Sequence, residues 1–219
     1  MSQPRKRVAV LISGRGSNMQ ALVRYSRENT EAGYDIVAVL SNRPGAGGLD
    51  WAANEGIATT PLDHTSFESR EAFELALHNA LLATNVDLIA CAGFMRIMTN
   101  EFVTKWQDKM LNIHPSLLPL FKGLNTHARA IEAGVRIAGC SVHIVRPELD
   151  AGPILGQAAV GVDSDDTADT LARKVIKAEH VLYPKILNLY AIGKLRLEGD
   201  KVLVNSRINQ NDTLFSPAI

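Results

Sequence analysis

Apolar positions fall in two rhythms along this chain, and the rhythms alternate. Val8-Ala9-Val10-Leu11-Ile12 is an unbroken apolar run that stops at Ser13-Gly14, the pattern of a strand covered on both faces. Behind it, Gly14-Arg15-Gly16-Ser17-Asn18 leads into a helical spacing carried by Met19, Leu22 and Val23. Strand, glycine turn and helix in that order open a βαβ unit. The alternation continues with a strand over 36–40, a short helix over 49–55 and a brief strand over 57–60. A long helix over 68–84 follows, with Phe73, Leu77, Ala80 and Leu81 on one face, and then an apolar strand over 88–92. Such a sequence of elements predicts a parallel, Rossmann-like sheet with helices on both faces. After a further strand over 110–114 and Pro119, the order changes. A helix is expected over 126–133, and strands over 140–145 and 153–160 are joined by so short a link that they should form a hairpin, so the C-terminal strands are expected to be antiparallel. A helix over 167–192, kinked at Pro184, and a small ribbon over 195–204 around Gly199-Asp200 complete the pattern. The expectation is a single α/β domain of about seven strands over 1–204, followed by a polar tail over 205–219 of disorder-prone composition.

Composition narrows the classes of function. At 219 residues the chain can bury a sizeable core, and no Pro/Gly/Ser-rich linker divides it. Lys plus Arg (23) equals Asp plus Glu (23), so no overall basic field gathers a phosphate backbone, and a nucleic-acid partner is disfavoured. Cys91 and Cys140 lie in apolar surroundings without metal-ligand spacing, which predicts reduced, buried thiols and no metal. The basic start is followed by an apolar run too short for a signal core or a membrane span. A cytoplasmic location without membrane contact is therefore expected.

Candidate chemistry concentrates at Asn112-Ile113-His114-Pro115-Ser116-Leu117-Leu118-Pro119. In an extended segment, residues two apart share a face, so Asn112 and His114 would bring a neutral donor and a proton carrier to one spot. That pair suits acyl or formyl transfer, where a carbonyl oxygen becomes an oxyanion while a proton changes hands. The plainer alternative is a strand end whose Asn and His satisfy backbone groups. The loop Gly14–Asn18 lacks both the GxGxxG spacing and a Walker lysine, so a single phosphate monoester at a helix N-terminus is the better guest, with Ser17 as a simple N-cap the alternative. Arg70 and Glu179 each fall on the apolar stripe of their helix. A ligand carboxylate and a ligand amine or hydroxyl would explain them, as would a snorkelling arginine and an internal salt bridge. Asp150, in the link between the two late strands, would favour a charged imidazole if the fold brought it to His114, although turn aspartates usually cap their own backbone. Of the other histidines, His64, His78 and His180 carry no constellation and His127 and His143 lie near the presumed cleft; all five are taken as non-catalytic.

With these residues assembled, the chain resembles the phosphoribosylglycinamide formyltransferase family of folate-dependent formyltransferases. The resemblance runs through residues 8–18, Ala92-Gly93-Phe94-Met95-Arg96-Ile97-Met98, residues 111–119, Gly139-Cys140-Ser141-Val142-His143, Asp150-Ala151-Gly152-Pro153-Ile154 and Glu179-His180, covering about residues 7–200 in family order. It implies transfer of a formyl group from 10-formyltetrahydrofolate, as co-substrate, to the amine of glycinamide ribonucleotide in purine biosynthesis. It implies Asn112, His114 and Asp150 as catalytic positions, and Gly16, Ser17, Asn18 and Glu179 as ribonucleotide contacts. Arg70, Met95, Arg96, Ile97, Met98 and Asn112 would serve as folate contacts. No metal is implied, and the chain would act as a monomer or homodimer on small molecules. Ile176 stands where some members have a polar residue, which puts one phosphate contact in doubt, and Ala151 replaces a common glycine. A formyltetrahydrofolate deformylase, a methionyl-tRNA formyltransferase-like enzyme and a non-catalytic nucleotide-binding module are the competing readings. The deformylase usually carries an extra N-terminal domain and the tRNA enzyme a second domain, for which this chain leaves no residues.

Overall fold

The computed structural model describes residues 4–204, so the expected tail over 205–219 lies outside the described residues. Seven strands form one sheet: β1 (Lys6–Ile12), β2 (Tyr34–Ser41), β3 (Ala58–Pro61), β4 (Leu88–Cys91), β5 (Met110–His114), β6 (Ile137–Ile144) and β7 (Ile154–Gly161). Their spatial order is β3-β2-β1-β4-β5-β6-β7. Pairing is parallel from β3 to β5, then antiparallel from β5 to β6 and from β6 to β7. The change of direction follows from connection length, since β6 and β7 are hairpin neighbours whereas the earlier strands are separated by helices.

β1 shows why both faces must be covered. Its period-two alternation sends Val8, Val10 and Ile12 to one apolar cluster and Ala9 and Leu11 to another. The first cluster packs under α1 (Ser17–Glu28) and α6 (Ala168–Ala191), through Met19, Leu22, Leu171, Val175 and Leu187. The second packs under α3 (Arg70–Ala83) and α4 (Asn100–Lys105), through Phe73, Leu77, Leu81, Phe102 and Val103. Fully burying one such side chain stabilises the fold by about 1.5–3 kcal/mol. The smaller helices α2 (Gly47–Asn54) and α5 (Thr126–Glu132) flank the first layer.

Helix ends follow local chemistry. The Ser69 side chain accepts a hydrogen bond from the Ala72 N–H at the start of α3, and Thr167 and Thr170 form a reciprocal capping box at the start of α6. α6 continues through Pro184, which lacks the N–H that would bond the His180 carbonyl. The ribbon is β8 (Leu195–Glu198) and β9 (Lys201–Val204), a two-stranded sheet apart from the main one. Two short elements have no counterpart in the sequence reading: α4, and a 3₁₀ turn over His64–Ser66. Both are under two turns long, too short for an apolar period to show.

Candidate active site

The sheet positions the site through its strand order. Chain connections leave β1 and β4 toward opposite sides, which opens a crevice beyond the carboxyl ends of these adjacent strands. A cavity of about 1150 Å³ occupies this place, and Gly14, Asn18, Arg96, His114, Asp150 and Glu179 are among the residues lining it. A recess of about 120 Å³ adjoins it, sharing Arg96, Asn112 and Asp150 among others; Cys91, Met98, Val103 and Val145 give it apolar walls, and His143 and Arg146 polar ones. The glycine loop borders only the large cavity.

At the glycine loop, Gly16 sits at φ 70° and forms the N-cap of α1. That left-handed geometry suits glycine. Ser17 is the first residue of α1 and not its cap, which corrects the simpler expectation; its hydroxyl is not spent on closing the helix. The first-turn N–H groups of α1 and the side chains of Ser17 and Asn18 therefore border the cavity. Gly48 supports the loop from α2: its N–H bonds the Gly14 carbonyl at 3.1 Å. A Cβ there would stand 3.0 Å from that oxygen and 3.1 Å from the Arg15 carbonyl.

Glu179 reaches the same wall from α6. It is 5% exposed and forms no salt bridge among the described residues; its Oε2 accepts from Asn18 Nδ2 at 2.7 Å. Burial raises its pKa, and the Asn18 bond opposes this without cancelling it. Asn18 Oδ1 is buried without a hydrogen-bond partner. The internal salt bridge considered from sequence is thus replaced by a carboxylate–amide contact with one acceptor left over.

The loop after β4 is fastened at both ends. Near its start, the Met95 N–H donates to Ser13 Oγ at 2.8 Å and the Ser13 N–H to the Gly93 carbonyl at 3.1 Å. At its end, Glu74 accepts from the Thr99 N–H at 2.8 Å and also from the Thr99 hydroxyl. Between these anchors Met95, Arg96 and Ile97 border the large cavity, Met98 borders the recess, and the Arg96 guanidinium lies 5.7 Å above the Phe73 ring. Arg70 does not join them as the stripe suggested: it is exposed and does not line the cavity. The packed face of α3 begins at Phe73, and residues 69–72 are all exposed.

β5 brings Asn112 and His114 to the cavity on one face, and the link after β6 returns Asp150 to them. Asp150 Oδ2 is 3.4 Å from His114 Nδ1, and Oδ1 is 3.6 Å from His143 Nε2. His114 Nε2 faces the Phe121 carbonyl at 3.0 Å, so both of its ring nitrogens face oxygens. Asp150 itself sits at φ 48°, a conformation rare outside glycine, and the Gly123 N–H donates to its Oδ2 at 2.9 Å. Burial pushes its pKa up, but the hydrogen bond from the Gly123 N–H and the neighbouring imidazoles of His143 and His114 outweigh burial, leaving the carboxyl below its usual range. His127, which also lines the cavity, has its pKa lowered by burial and by His114.

His143 is the residue sequence reasoning set aside. It is 2% exposed, its Nε2 lies 3.1 Å from Asn112 Nδ2, and its Nδ1 lies 3.0 Å from the Ile144 carbonyl. The signal that could have found it is strand register: β5 and β6 pair antiparallel with Asn112 directly opposite His143. Among the described residues no cluster of three metal-ligating side chains occurs, and no helix is long and apolar enough to cross a membrane.

Comparison with known proteins agrees with this geometry. A family model described as formyl transferase matches residues 6–187. The phosphoribosylglycinamide formyltransferase of Escherichia coli is 42% identical over 190 residues, 87% of this chain and 89% of that protein. The human trifunctional purine biosynthetic protein adenosine-3 is 48% identical over 198 residues; the match takes in 90% of this chain but only 19% of that longer protein. The crystal structure of glycinamide ribonucleotide transformylase 1 from Symbiobacterium toebii superposes with a TM-score of 0.88 at 42% identity, covering 91% of this chain and 94% of that one. A strand order with its crevice at β1 and β4, an Asn-x-His strand end and these matches along most of the chain lead to one assignment: the chain belongs to the phosphoribosylglycinamide formyltransferase family.

Proposed function

We propose that this chain transfers the formyl group of 10-formyltetrahydrofolate to the primary amine of glycinamide ribonucleotide, with Asn112, His114 and Asp150 as the reacting constellation. The observation that carries the proposal is the convergence of these three side chains on one cavity that also borders a helix N-terminus suited to a phosphate and adjoins a partly apolar recess suited to a flat ring. The ribonucleotide would lie along Gly16, Ser17 and Asn18, with Glu179 and the spare oxygen of Asn18 taking its hydroxyl or amine hydrogens. The folate would lie along residues 95–98, its ring in the recess. Arg70, exposed on α3 one turn before Phe73, would meet only the outer part of such a ligand.

The amine attacks the formyl carbon, a C–N bond forms, and the carbonyl electron pair moves to oxygen. Asn112 donates a hydrogen bond to that oxyanion, and His114 adds a second when its Nε2–H exchanges the Phe121 carbonyl for the ligand oxygen while Nδ1–H stays toward Asp150. Asp150 holds the imidazole as a donor and orients a water that takes the proton from the attacking nitrogen and passes it to the departing folate nitrogen. The oxyanion electron pair re-forms the carbonyl as the C–N bond to folate breaks, and the folate nitrogen, now carrying that proton, leaves as an amine. The partners in this reading are two small molecules, and its setting is purine biosynthesis in the cytoplasm, in a monomer or homodimer, with no role for metal, nucleic acid or membrane.

The test is an assay of folate product with and without glycinamide ribonucleotide. Product formation that requires the amine supports transfer; product without it identifies a deformylase; product only with methionyl-tRNA identifies the RNA-directed enzyme. Binding without turnover of any of these leaves a nucleotide-binding module. Asn112→Ala should lose roughly a hundred- to a thousandfold in kcat, and His114→Ala about as much or more, with ligand binding kept. A His114→Ala enzyme that retains most of its turnover would refute the role given to that ring.

A further inference from the structure

A primary amide can steady an oxyanion only with its NH₂ end, yet its two ends have nearly the same shape and can exchange by a half turn. We infer that His143 is a positioning residue that fixes which end of Asn112 serves the reaction. This rests on the reading of Asn112 as an oxyanion donor.

The tautomer of one buried ring, His143, sets the amide. His143 Nδ1 lies 3.0 Å from the Ile144 carbonyl, which can only accept, so Nδ1 carries hydrogen. In the neutral ring Nε2 is then an acceptor. Nε2 lies 3.1 Å from the Asn112 amide, which must therefore turn its NH₂ toward the ring. A half turn of that amide would set its oxygen against the lone pair of Nε2 and leave the imidazole without a donor. Because Nδ2 carries two hydrogens, one goes to His143 and the second remains for a ligand oxygen, and Asn112 borders both the large cavity and the recess.

Asp150 is the competitor for the same nitrogen. Its Oδ1 is 3.6 Å from Nε2, outside hydrogen-bond length, while the Asn112 amide is inside it. The other Asp150 oxygen is held by the Gly123 N–H and faces His114. A doubly protonated His143 would donate to Asp150 and release Asn112 to rotate. The neutral Nδ1–H ring keeps the two catalytic partners apart: His114 with Asp150, and Asn112 with His143.

The prediction can be read without turnover. In wild-type protein carrying ¹⁵N-labelled histidine, long-range ¹H–¹⁵N correlation at neutral pH should show His143 with hydrogen on Nδ1 and a bare Nε2. Hydrogen on Nε2, alone or together with Nδ1, would overturn the inference. Among variants, His143→Leu should lose tenfold or more in kcat with the KM for both substrates within about twofold, whereas His143→Gln, which keeps an acceptor near the Nε2 position, should recover most of it. Wild-type kcat in the leucine variant, or a glutamine variant no better than leucine, would overturn it as well. If Asn112→Ala stays active, the reading of Asn112 fails, while the tautomer result still stands or falls by itself.

Discussion

Glu179→Gln should make the protein more stable and, at the same time, poorer at holding its phosphorylated substrate. The carboxylate is 5% exposed, forms no salt bridge among the described residues and accepts one hydrogen bond from Asn18, whose own oxygen is left without a partner. A glutamine amide removes the buried charge and can pair reciprocally: its oxygen accepts from Asn18 Nδ2 while its NH₂ donates to Asn18 Oδ1. Satisfying one buried acceptor is worth about 1 kcal/mol, and removing the charge adds to it, so a gain of about 1.5 kcal/mol is expected at neutral pH. For a chain of this size that is an increase of roughly 3–6 °C in Tm. The pH dependence gives the sign. Burial raises the folded-state pKa of Glu179, so its penalty is fully present above that raised value and disappears as the pH falls through it toward the ordinary 4.5. A neutral carboxyl can then donate to Asn18 Oδ1 just as glutamine does. Thermal unfolding of both proteins at pH 7.5 and pH 4.5 should show the gap closing at the lower pH. A glutamine variant less stable than wild type at pH 7.5, or a gap that ignores pH, would refute this account of the pair. Kinetics complete the test: loss of a charge-assisted bond to substrate should raise the KM for glycinamide ribonucleotide about tenfold, with the folate KM unchanged.

Asp150→Asn tests the opposite sign of linkage. Its carboxyl titrates below the ordinary 3.8, so its stabilising contribution is present above that value and is lost as pH falls through the folded-state pKa; the variant should melt below wild type at pH 7, approach it only in acid below 3.8, and lose about a hundredfold in kcat. A variant equally stable at pH 7 would contradict the geometry around Gly123 and His114. Gly48→Ala presses a methyl group against the Gly14 and Arg15 carbonyls and the Ile12 side chain, so the ribonucleotide KM should rise several-fold while kcat and the folate KM stay put, as steady-state kinetics with each substrate varied would show. The thiols of Cys91 and Cys140 are both pushed up to about 12 by burial, so a thiol-specific reagent at pH 8 should label neither in the native protein and both after unfolding; rapid native labelling of Cys91 would mean that the recess is open to reagent.

What could be read from the sequence, and what could not, divides along a physical line. The strand and helix order was legible because each element is long enough for its own periodicity: residues 8–12 are apolar throughout, and Phe73, Leu77 and Leu81 repeat at helical spacing. The two elements missed, α4 and the turn at His64–Ser66, are six and three residues long. Asn112 and His114 were legible as a pair because two residues on one strand share a face whatever the strand pairs with. Arg70 misled for a related reason: a periodic stripe marks a face of the helix but not where the covering layer ends, and here it ends after the first turn. His143 was legible as a residue near the cleft but its contact was not, because the pairing of Asn112 with the residue directly opposite lies in register across two strands and not in any local pattern. Asp150 lay between these cases, flagged as a turn residue but joined to His114 only by the return of the β6–β7 link. The chemistry proposed for the site needs both kinds of information, since the donor is set by a local motif and its orientation by a neighbour 31 positions away in sequence. A residue that acts through another is therefore the kind that single-strand reasoning misses, and the labelled-histidine measurement is aimed at that gap.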